Sequence, residues 1–164
     1  MNTIRYANLN DILGINKLLG QVLGVHNAGR PDIFKPVGQK YLDKELEEVI
    51  LNRDNPVWVC VDDNETVLGH CFCQVTDKKE SGSCYAYKTI YIDDLCVDED
   101  CRGQKIGTAL YNHVLAYAKE NGFYNVTLHA WECNPAAVGF YKSLGMQIQQ
   151  YTMEEIVGDD PSTK

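Results

Sequence analysis

The most constraining feature of this sequence is an apolar run that ends in a glycine-containing turn and continues as an amphipathic helix. Residues Ile90–Val97 are rich in β-branched and aromatic side chains, which is typical of a strand. Asp98–Cys101 breaks the pattern, and Arg102–Gly107 reads Arg-Gly-Gln-Lys-Ile-Gly. After that turn, apolar residues recur at helical spacing at Ile106, Ala109, Leu110, Val114 and Tyr117.

A strand, a glycine loop and a helix start together favour phosphate binding. Glycines let the backbone come close, and the unpaired N–H groups at the helix start face the anion. A plain strand-to-helix turn that needs one left-handed glycine explains the same residues about as well. The loop matches neither a Walker A loop, because no Gly-Lys-Ser/Thr closes it, nor a GxGxxG dinucleotide fingerprint.

The periodicity along the rest of the chain predicts the order β-α-α-β-β-β-α-β-α-β. We expect an α/β (α+β) fold, with a mixed, mostly antiparallel sheet of about six to seven strands and helices on both faces. The remaining predicted segments are a strand at Thr3–Tyr6, a helix after Asn8 or Asn10, a loop over 26–36, a helix over 39–51, a hairpin of 57–61 with 66–75, a strand over 123–130, a short helix after Asn134 and a last strand over 146–153.

Length and charge limit the kind of protein that this chain encodes. Its 164 residues predict one domain over 1–157, with a flexible tail over 158–164. No apolar run suits a membrane span and no signal peptide is evident, so we expect a cytoplasmic protein that binds no membrane. The net charge of −8 argues against nucleic acid as a partner. It fits a cationic substrate, although solubility alone explains such a charge.

The cysteines favour neither disulfides nor a metal site. Seven are present, an odd number, and no CxxC pair occurs among them. We therefore expect reduced, mostly buried thiols and no metal.

A second motif reads Asn134-Pro-Ala-Ala-Val-Gly-Phe-Tyr-Lys-Ser-Leu-Gly-Met146. Asn134 is a good helix N-cap, Pro135 suits the first helical position, and Gly145 suits the helix end. A well-capped amphipathic helix explains this motif when it is taken alone.

The two motifs together, in this order and separation, resemble the GNAT superfamily of acyl-CoA-dependent N-acetyltransferases. The resemblance implies an acetyltransferase domain that binds acetyl-CoA and acetylates a primary amine of a small molecule or peptide. It also implies that the loop binds the pyrophosphate and that the β-strand backbone and Asn134 bind the pantetheine arm. The short helix would then lie at the thioester end. The implied cofactor-binding residues are Leu95, Cys96, Val97, Arg102, Gly103, Gln104, Lys105, Ile106, Gly107, Thr108, Asn134, Ala137 and Tyr141.

One residue departs from the family pattern. Lys105 stands where the family loop usually carries its first glycine. A lysine at positive φ is strained, so we predict an ordinary helical φ at this position, with the ammonium pairing with a phosphate.

Acetyl transfer to an amine needs a proton acceptor for the amine and a proton donor for the departing thiolate. The resemblance implies Asp93 as the base and the Tyr141 hydroxyl as the acid. Alternation along a strand predicts that Asp93 and Asp94 point to opposite faces. An ordinary aspartate is a weak base, so burial or a relaying water is needed, and Asp93 as a simple cation-binding group stays equally open. His129 is a reserve base, and Cys96 with Cys133 leaves a thiol nucleophile open.

We expect five residues to lie at the acceptor site: His26, Arg30, Phe34, His129 and Trp131. Three further readings stay open: a catalytically silent acyl-CoA-binding or regulatory module, a protein N-terminal or lysine acetyltransferase, and assembly as a homodimer.

Overall fold

The described residues form one five-stranded sheet and four α-helices. A computed structural model describes residues 1–163, so Lys164, the end of the predicted tail, lies outside the described residues. The strands are β1 (Thr3–Tyr6), β2 (Val57–Val61), β3 (Val67–Lys78), β4 (Tyr87–Val97) and β5 (Asn125–Leu128). The helices are α1 (Ile12–Gly29), α2 (Asp43–Leu51), α3 (Ile106–Glu120) and α4 (Pro135–Ser143), with 3-10 turns at Leu9–Asp11, Glu99–Cys101 and Pro161–Thr163.

The strands lie in the order β1-β2-β3-β4-β5. The first four are antiparallel to their neighbours, and β5 is parallel to β4. The predicted mixed, mostly antiparallel fold is therefore confirmed, but residues 1–163 form five strands and not the six to seven predicted.

The predicted last strand over 146–153 is wrong. No strand is assigned there in the described part of the chain. Its apolar side chains alternate with polar ones, yet Tyr151 is 80% exposed and Met153 is 90% exposed. Alternation gives a strand only when a neighbouring strand supplies hydrogen bonds and a buried face.

Two helix boundaries differ from the sequence prediction. Helix α1 runs on to Gly29, so His26 is helical and not part of a loop. Helix α2 begins at Asp43, because the Glu45 carboxylate accepts a hydrogen bond from the Leu42 N–H at 2.8 Å and closes the helix start there. Lys40 consequently lies in the connecting segment before α2.

The chain divides into two compact units. The first comprises Met1–Gln21 with Gln39–His129, and the second comprises Val22–Gly38 with the chain from Ala130 onward. A single domain over 1–157 stays a prediction, as does a flexible tail. Within residues 1–163, no helix has both the length and the apolar composition needed to cross a bilayer.

In the first unit, helices cover both faces of the sheet. Gly69 faces α3, since a Cβ there would lie 3.1 Å from Leu110 Cδ1. His70 points the opposite way, as consecutive strand residues do. Its cross-strand partner Cys96 contacts the Leu18 carbonyl of α1 at 3.6 Å. The core of the unit is therefore the sheet between α1 and α3.

The close packing of α3 on the sheet depends on Gly69. A Cβ at that position would lie 2.9 Å from the Cys96 carbonyl oxygen, which is backbone and cannot rotate away. Because α3 follows the end of β4, this contact also fixes where the helix start lies beside the strand.

We predict that Gly69→Ala lowers the free energy of unfolding by about 1–3 kcal/mol, the usual cost of overpacking. Urea denaturation measures the change. Gly20→Ala in α1 is the matched control, because no atom lies within 4 Å of its Cβ position. The control should leave stability unchanged or raise it by up to about 1 kcal/mol. Equal stabilities of the two variants would contradict the packing account.

Candidate functional site

The start of the glycine loop is tied to α1. The Asp98 carboxylate is 6% exposed and accepts hydrogen bonds from Lys17 Nζ at 2.5 Å and Gln21 Nε2 at 3.1 Å. These bonds, led by the one from Lys17, lower the pKa of Asp98. The Gln21 side chain also accepts from the Glu99 N–H at 3.1 Å. The loop therefore leaves β4 in a fixed direction.

The conformation of Lys105 overturns one prediction. Its φ is 63° and its ψ is 13°, so it lies in the left-handed region and not in the expected helical one. The physical reason lies in the turn: Lys105 is the N-cap of α3, and the tight turn that enters the helix there passes through left-handed positions at Gly103 and Lys105. Lysine adopts this conformation at a cost of about 1–2 kcal/mol. Gly103, with φ 79°, supplies the other left-handed position.

The first turn of α3 presents free donors to an anion. The Lys105 carbonyl accepts the first helical bond from the Ala109 N–H at 2.9 Å, so the N–H groups of Ile106, Gly107 and Thr108 precede the ladder. Among the described residues no side chain caps this end, and the first turn holds no acidic residue. The helix dipole and these donors make a site that fits a phosphate group.

Strand β4 continues past its parallel neighbour. β5 pairs with β4 only from Thr89 to Ile92, whereas β4 pairs with β3 as far as Val97. On its other edge, residues 93–97 pair with no described strand, so the backbone of Leu95–Val97 is open to an extended ligand. Burial, the main cause, raises the pKa of the Cys96 thiol to about 12, which removes it as a candidate nucleophile.

A β-bulge lies in β4 at the predicted base. Phe72 of β3 pairs with Asp94, and Cys73 pairs with Ile92, so Asp93 is an extra residue on β4. The prediction that Asp93 and Asp94 point to opposite faces is therefore wrong. Lys40 Nζ contacts both carboxylates, Asp93 Oδ2 at 2.8 Å and Asp94 Oδ2 at 3.2 Å. The bulge interrupts the alternation and brings the pair together.

Each carboxylate also has a partner on β3. Asp94 Oδ1 lies 3.0 Å from Nε2 of the fully buried His70, and Asp93 Oδ1 accepts from Gln74 Nε2 at 3.2 Å. Burial alone would raise the pKa of Asp94, but His70 and then Lys40 outweigh it and the pKa is lowered. Burial likewise disfavours the Lys40 ammonium, yet Asp94 and Asp93 raise its pKa. The lowered pKa of Asp94 and the raised pKa of Lys40 both favour the charged forms of this ion pair.

His129 follows the end of β5 in the first unit. Its Nδ1 lies 3.2 Å from the Tyr91 hydroxyl, and the two rings are 5.2 Å apart. The Tyr91 pKa is raised, mainly by burial and secondarily by Asp93. His129 therefore lies just beyond the end of β5, and its hydroxyl partner Tyr91 is on β4.

The second unit contains the second motif, and its helix forms as predicted. The Asn134 Oδ1 accepts from the Ala137 N–H at 3.2 Å, Pro135 opens α4, and Gly145 ends it with φ 92°. The Tyr141 ring lies 5.1 Å from the Phe140 ring, and the Tyr141 carbonyl accepts from the Met146 N–H at 3.1 Å. Because the cap uses Oδ1, the Nδ2 group is the part of Asn134 suited to a ligand.

Four predicted acceptor-site residues lie together in the second unit. The Phe34 ring is 4.8 Å from His26 and 5.4 Å from Trp131. The Arg30 guanidinium lies 5.8 Å from the Trp131 ring and pairs with Asp32 at 2.6 Å and with Glu154. Two carboxylates already neutralise Arg30, so its charge holds this aromatic cluster together and is not available to an anionic substrate.

Sequence reasoning missed Lys40 and His70. His70 sits in an apolar run where a single histidine resembles any half-buried residue, and its partner Asp94 lies on another strand. Lys40 was assigned to a helix that begins only at Asp43. The signal that would have found them is the β3–β4 register together with the bulge, which a single sequence does not contain.

The chain matches a protein-family model and several known proteins. The model of the Acetyltransferase (GNAT) family matches residues 24–146. A peptidyl-lysine N-acetyltransferase, YjaB, from Salmonella typhimurium is 33% identical over 106 residues, which cover 63% of this chain. The match spans 60% of that relative's length.

Solved structures show the same fold. The tetramutant of the BH1408 protein from Bacillus halodurans superposes with a TM-score of 0.90 at 30% identity, covering 94% of this chain and 99% of that one. Glucosamine-6-phosphate N-acetyltransferase from Arabidopsis thaliana superposes with a TM-score of 0.69 at 21% identity, covering 96% and 99%. The second similarity concerns the fold alone.

The left-handed φ of Lys105 has a measurable consequence. We predict that Lys105→Gly raises the free energy of unfolding by about 1 kcal/mol, because glycine adopts positive φ without the steric cost. Gln104→Gly is the control next to it in the loop, and it should lower stability by about 0.5–1 kcal/mol through the greater freedom of the unfolded chain. Urea denaturation measures both. A loss of stability in Lys105→Gly equal to that of the control would contradict the left-handed geometry.

Proposed function

Because the chain belongs to the acetyltransferase (GNAT) family, we propose that it is an enzyme that moves an acetyl group from acetyl-CoA to a primary amine of a small molecule or peptide. One observation carries the proposal: β4 runs on past β5 with an open backbone edge and leads directly into a loop that opens a helix. An extended carrier with a pyrophosphate fits that succession, because strand-like pairing suits its arm and helix N–H groups suit its phosphates.

The residues of the loop fit the pyrophosphate in charge as well as in shape. Arg102 and Lys105 are the basic side chains beside the first turn of α3, which has no acidic residue. The N–H groups of Ile106, Gly107 and Thr108 add donors, and Gly103 and Gln104 form the turn. Leu95, Cys96 and Val97 contribute backbone groups, one of which polarises the thioester carbonyl. We also assign Asn134, the N-cap of α4, and Ala137 in its first turn to cofactor binding, as their motif implies.

Bound acetyl-CoA would supply an activated acyl group, and side chains of the protein would accept and donate the protons. An alkylamine with a pKa of about 10.4 is free base only about once in two thousand molecules at pH 7, a factor worth roughly 4.5 kcal/mol. Asp93 takes that proton, directly or through a water, at a bulge where Gln74 orients it. His129, with its Tyr91 partner, is the alternative base.

Tyr141 is the proposed proton donor to the thiolate. A phenol has a pKa of about 10, close to the basicity of the leaving thiolate, so proton transfer is nearly balanced. The aromatic cluster of His26, Phe34 and Trp131, held by Arg30, is the proposed wall that contacts the body of the acceptor. The net charge of −8 supports a cationic acceptor.

We predict that Tyr141→Phe and Asp93→Asn each lower kcat for amine acetylation by about 10²–10⁴-fold, the usual contribution of a positioned acid or base. Thiol release from acetyl-CoA, followed across a panel of primary amines, measures the effect. Tyr124→Phe is the control, because this tyrosine is 77% exposed and lies outside the proposed site.

Two outcomes would contradict the proposal. Unchanged kcat in both variants would rule out Tyr141 as the acid and Asp93 as the base. Retention of CoA without thiol release by any amine would instead indicate a catalytically silent acyl-CoA-binding module.

A further inference from the structure

Lys40 occupies a site that is built to hold an ammonium group. Its Nζ lies 2.8 Å from Asp93 Oδ2 and 3.2 Å from Asp94 Oδ2. The same nitrogen is 5.6 Å from the Tyr41 ring centre and 5.9 Å from that of Phe72. Carboxylates give the charge-assisted hydrogen bonds, and aromatic faces at such distances attract cations. Together they recognise a primary ammonium by both its charge and its N–H donors.

The carboxylates are held in place without Lys40. His70 Nε2 lies 3.0 Å from Asp94 Oδ1, and Gln74 Nε2 donates to Asp93 Oδ1 at 3.2 Å. His70 is fully buried, and the bulge at Asp93 fixes the backbone of the pair. The Phe72 ring packs against Tyr41 at 5.9 Å and against His70 at 5.0 Å. Strands β3 and β4 thus hold the two carboxylates and Phe72 in place, whereas Lys40 and Tyr41 come from the segment that precedes α2.

A cavity of about 550 Å³ is lined by Lys40 and Tyr41 together with residues of α2 and its end, including Glu45 and Glu48. The Lys40 side chain is 36% exposed, so solvent reaches part of it. The negative lining favours a substrate with positive charge.

We propose that Asp93, Asp94, Tyr41 and Phe72 form the acceptor-ammonium subsite, that Lys40 fills it in the ligand-free protein, and that the acceptor is a primary alkylammonium on an unbranched chain of lysine length. This inference rests on the proposed function for its role in catalysis. The binding step itself exchanges one ammonium for another. The electrostatic contacts are therefore conserved, and the cost is the displacement of the Lys40 side chain. Amines without N–H donors are excluded, because both carboxylate contacts are hydrogen bonds.

The test is chemical rescue of Lys40→Ala in the absence of any thioester, so its result does not depend on acetylation. n-Butylammonium has the carbon chain and ammonium that the substitution removes. It should raise the Tm of Lys40→Ala saturably and bind, by calorimetry, at least tenfold more tightly than to the wild-type protein. Tetramethylammonium at the same concentration should give no saturable shift. Lys44→Ala, an exposed lysine of α2, should behave as the wild type.

A second pair of variants keeps the test decisive. Lys40→Met retains the apolar stem and serves if Lys40→Ala does not fold; methylammonium is then the probe, with the same expected tenfold preference over the wild type. Adding Asp93→Asn to either variant should abolish the rescue. Equal responses of variant and wild type, or rescue that survives Asp93→Asn, would overturn the subsite. A rescue without any acetylation of amines would support the subsite while removing the proposed function.

Discussion

The β-bulge at Asp93 is the constraint on which the functional half of the sheet depends. In a regular β4, Asp93 and Asp94 would lie on opposite faces of the sheet. The extra residue brings both carboxylates to one ammonium, and His70 and Gln74 on β3 hold them there. The pairing of β4 with β5 ends at Ile92, next to the bulge. One irregularity thus separates the paired part of β4 from a part whose edge is open.

Charged residues lie on both sides of that open segment. The acidic pair precedes Leu95–Val97, and Arg102 and Lys105 follow it after the run Asp98–Asp100, in which Asp98 is paired with Lys17. The rise of a strand separates Asp94 from Val97 by about 10 Å. The net charge of −8 does not reveal this distribution of charged residues along the chain. In the reaction that we propose, the acidic pair would bind the cationic acceptor and the basic residues would bind the anionic carrier.

Local signals were predictable from the sequence, and contacts between distant residues were not. The Asn134 cap, the Gly145 stop and the strand-to-helix order around Arg102 depend on neighbouring residues and were confirmed. The bulge depends on the β3 register, so alternation failed at Asp93. Lys105 is left-handed although lysine disfavours that region, so its residue type alone predicts the wrong conformation. The prediction of a strand over 146–153 failed because no neighbouring strand pairs with this segment in the described part of the chain.

Amide hydrogen exchange with and without CoA tests the central claim most directly, since it reports which backbone groups bind the carrier. Saturating CoA should slow exchange at Leu95–Val97 and at Ile106–Thr108, while β1 at the opposite edge of the sheet exchanges as before. Protection confined to other segments, or none at saturation, would contradict the assignment of the β4 edge and the α3 start as the carrier site.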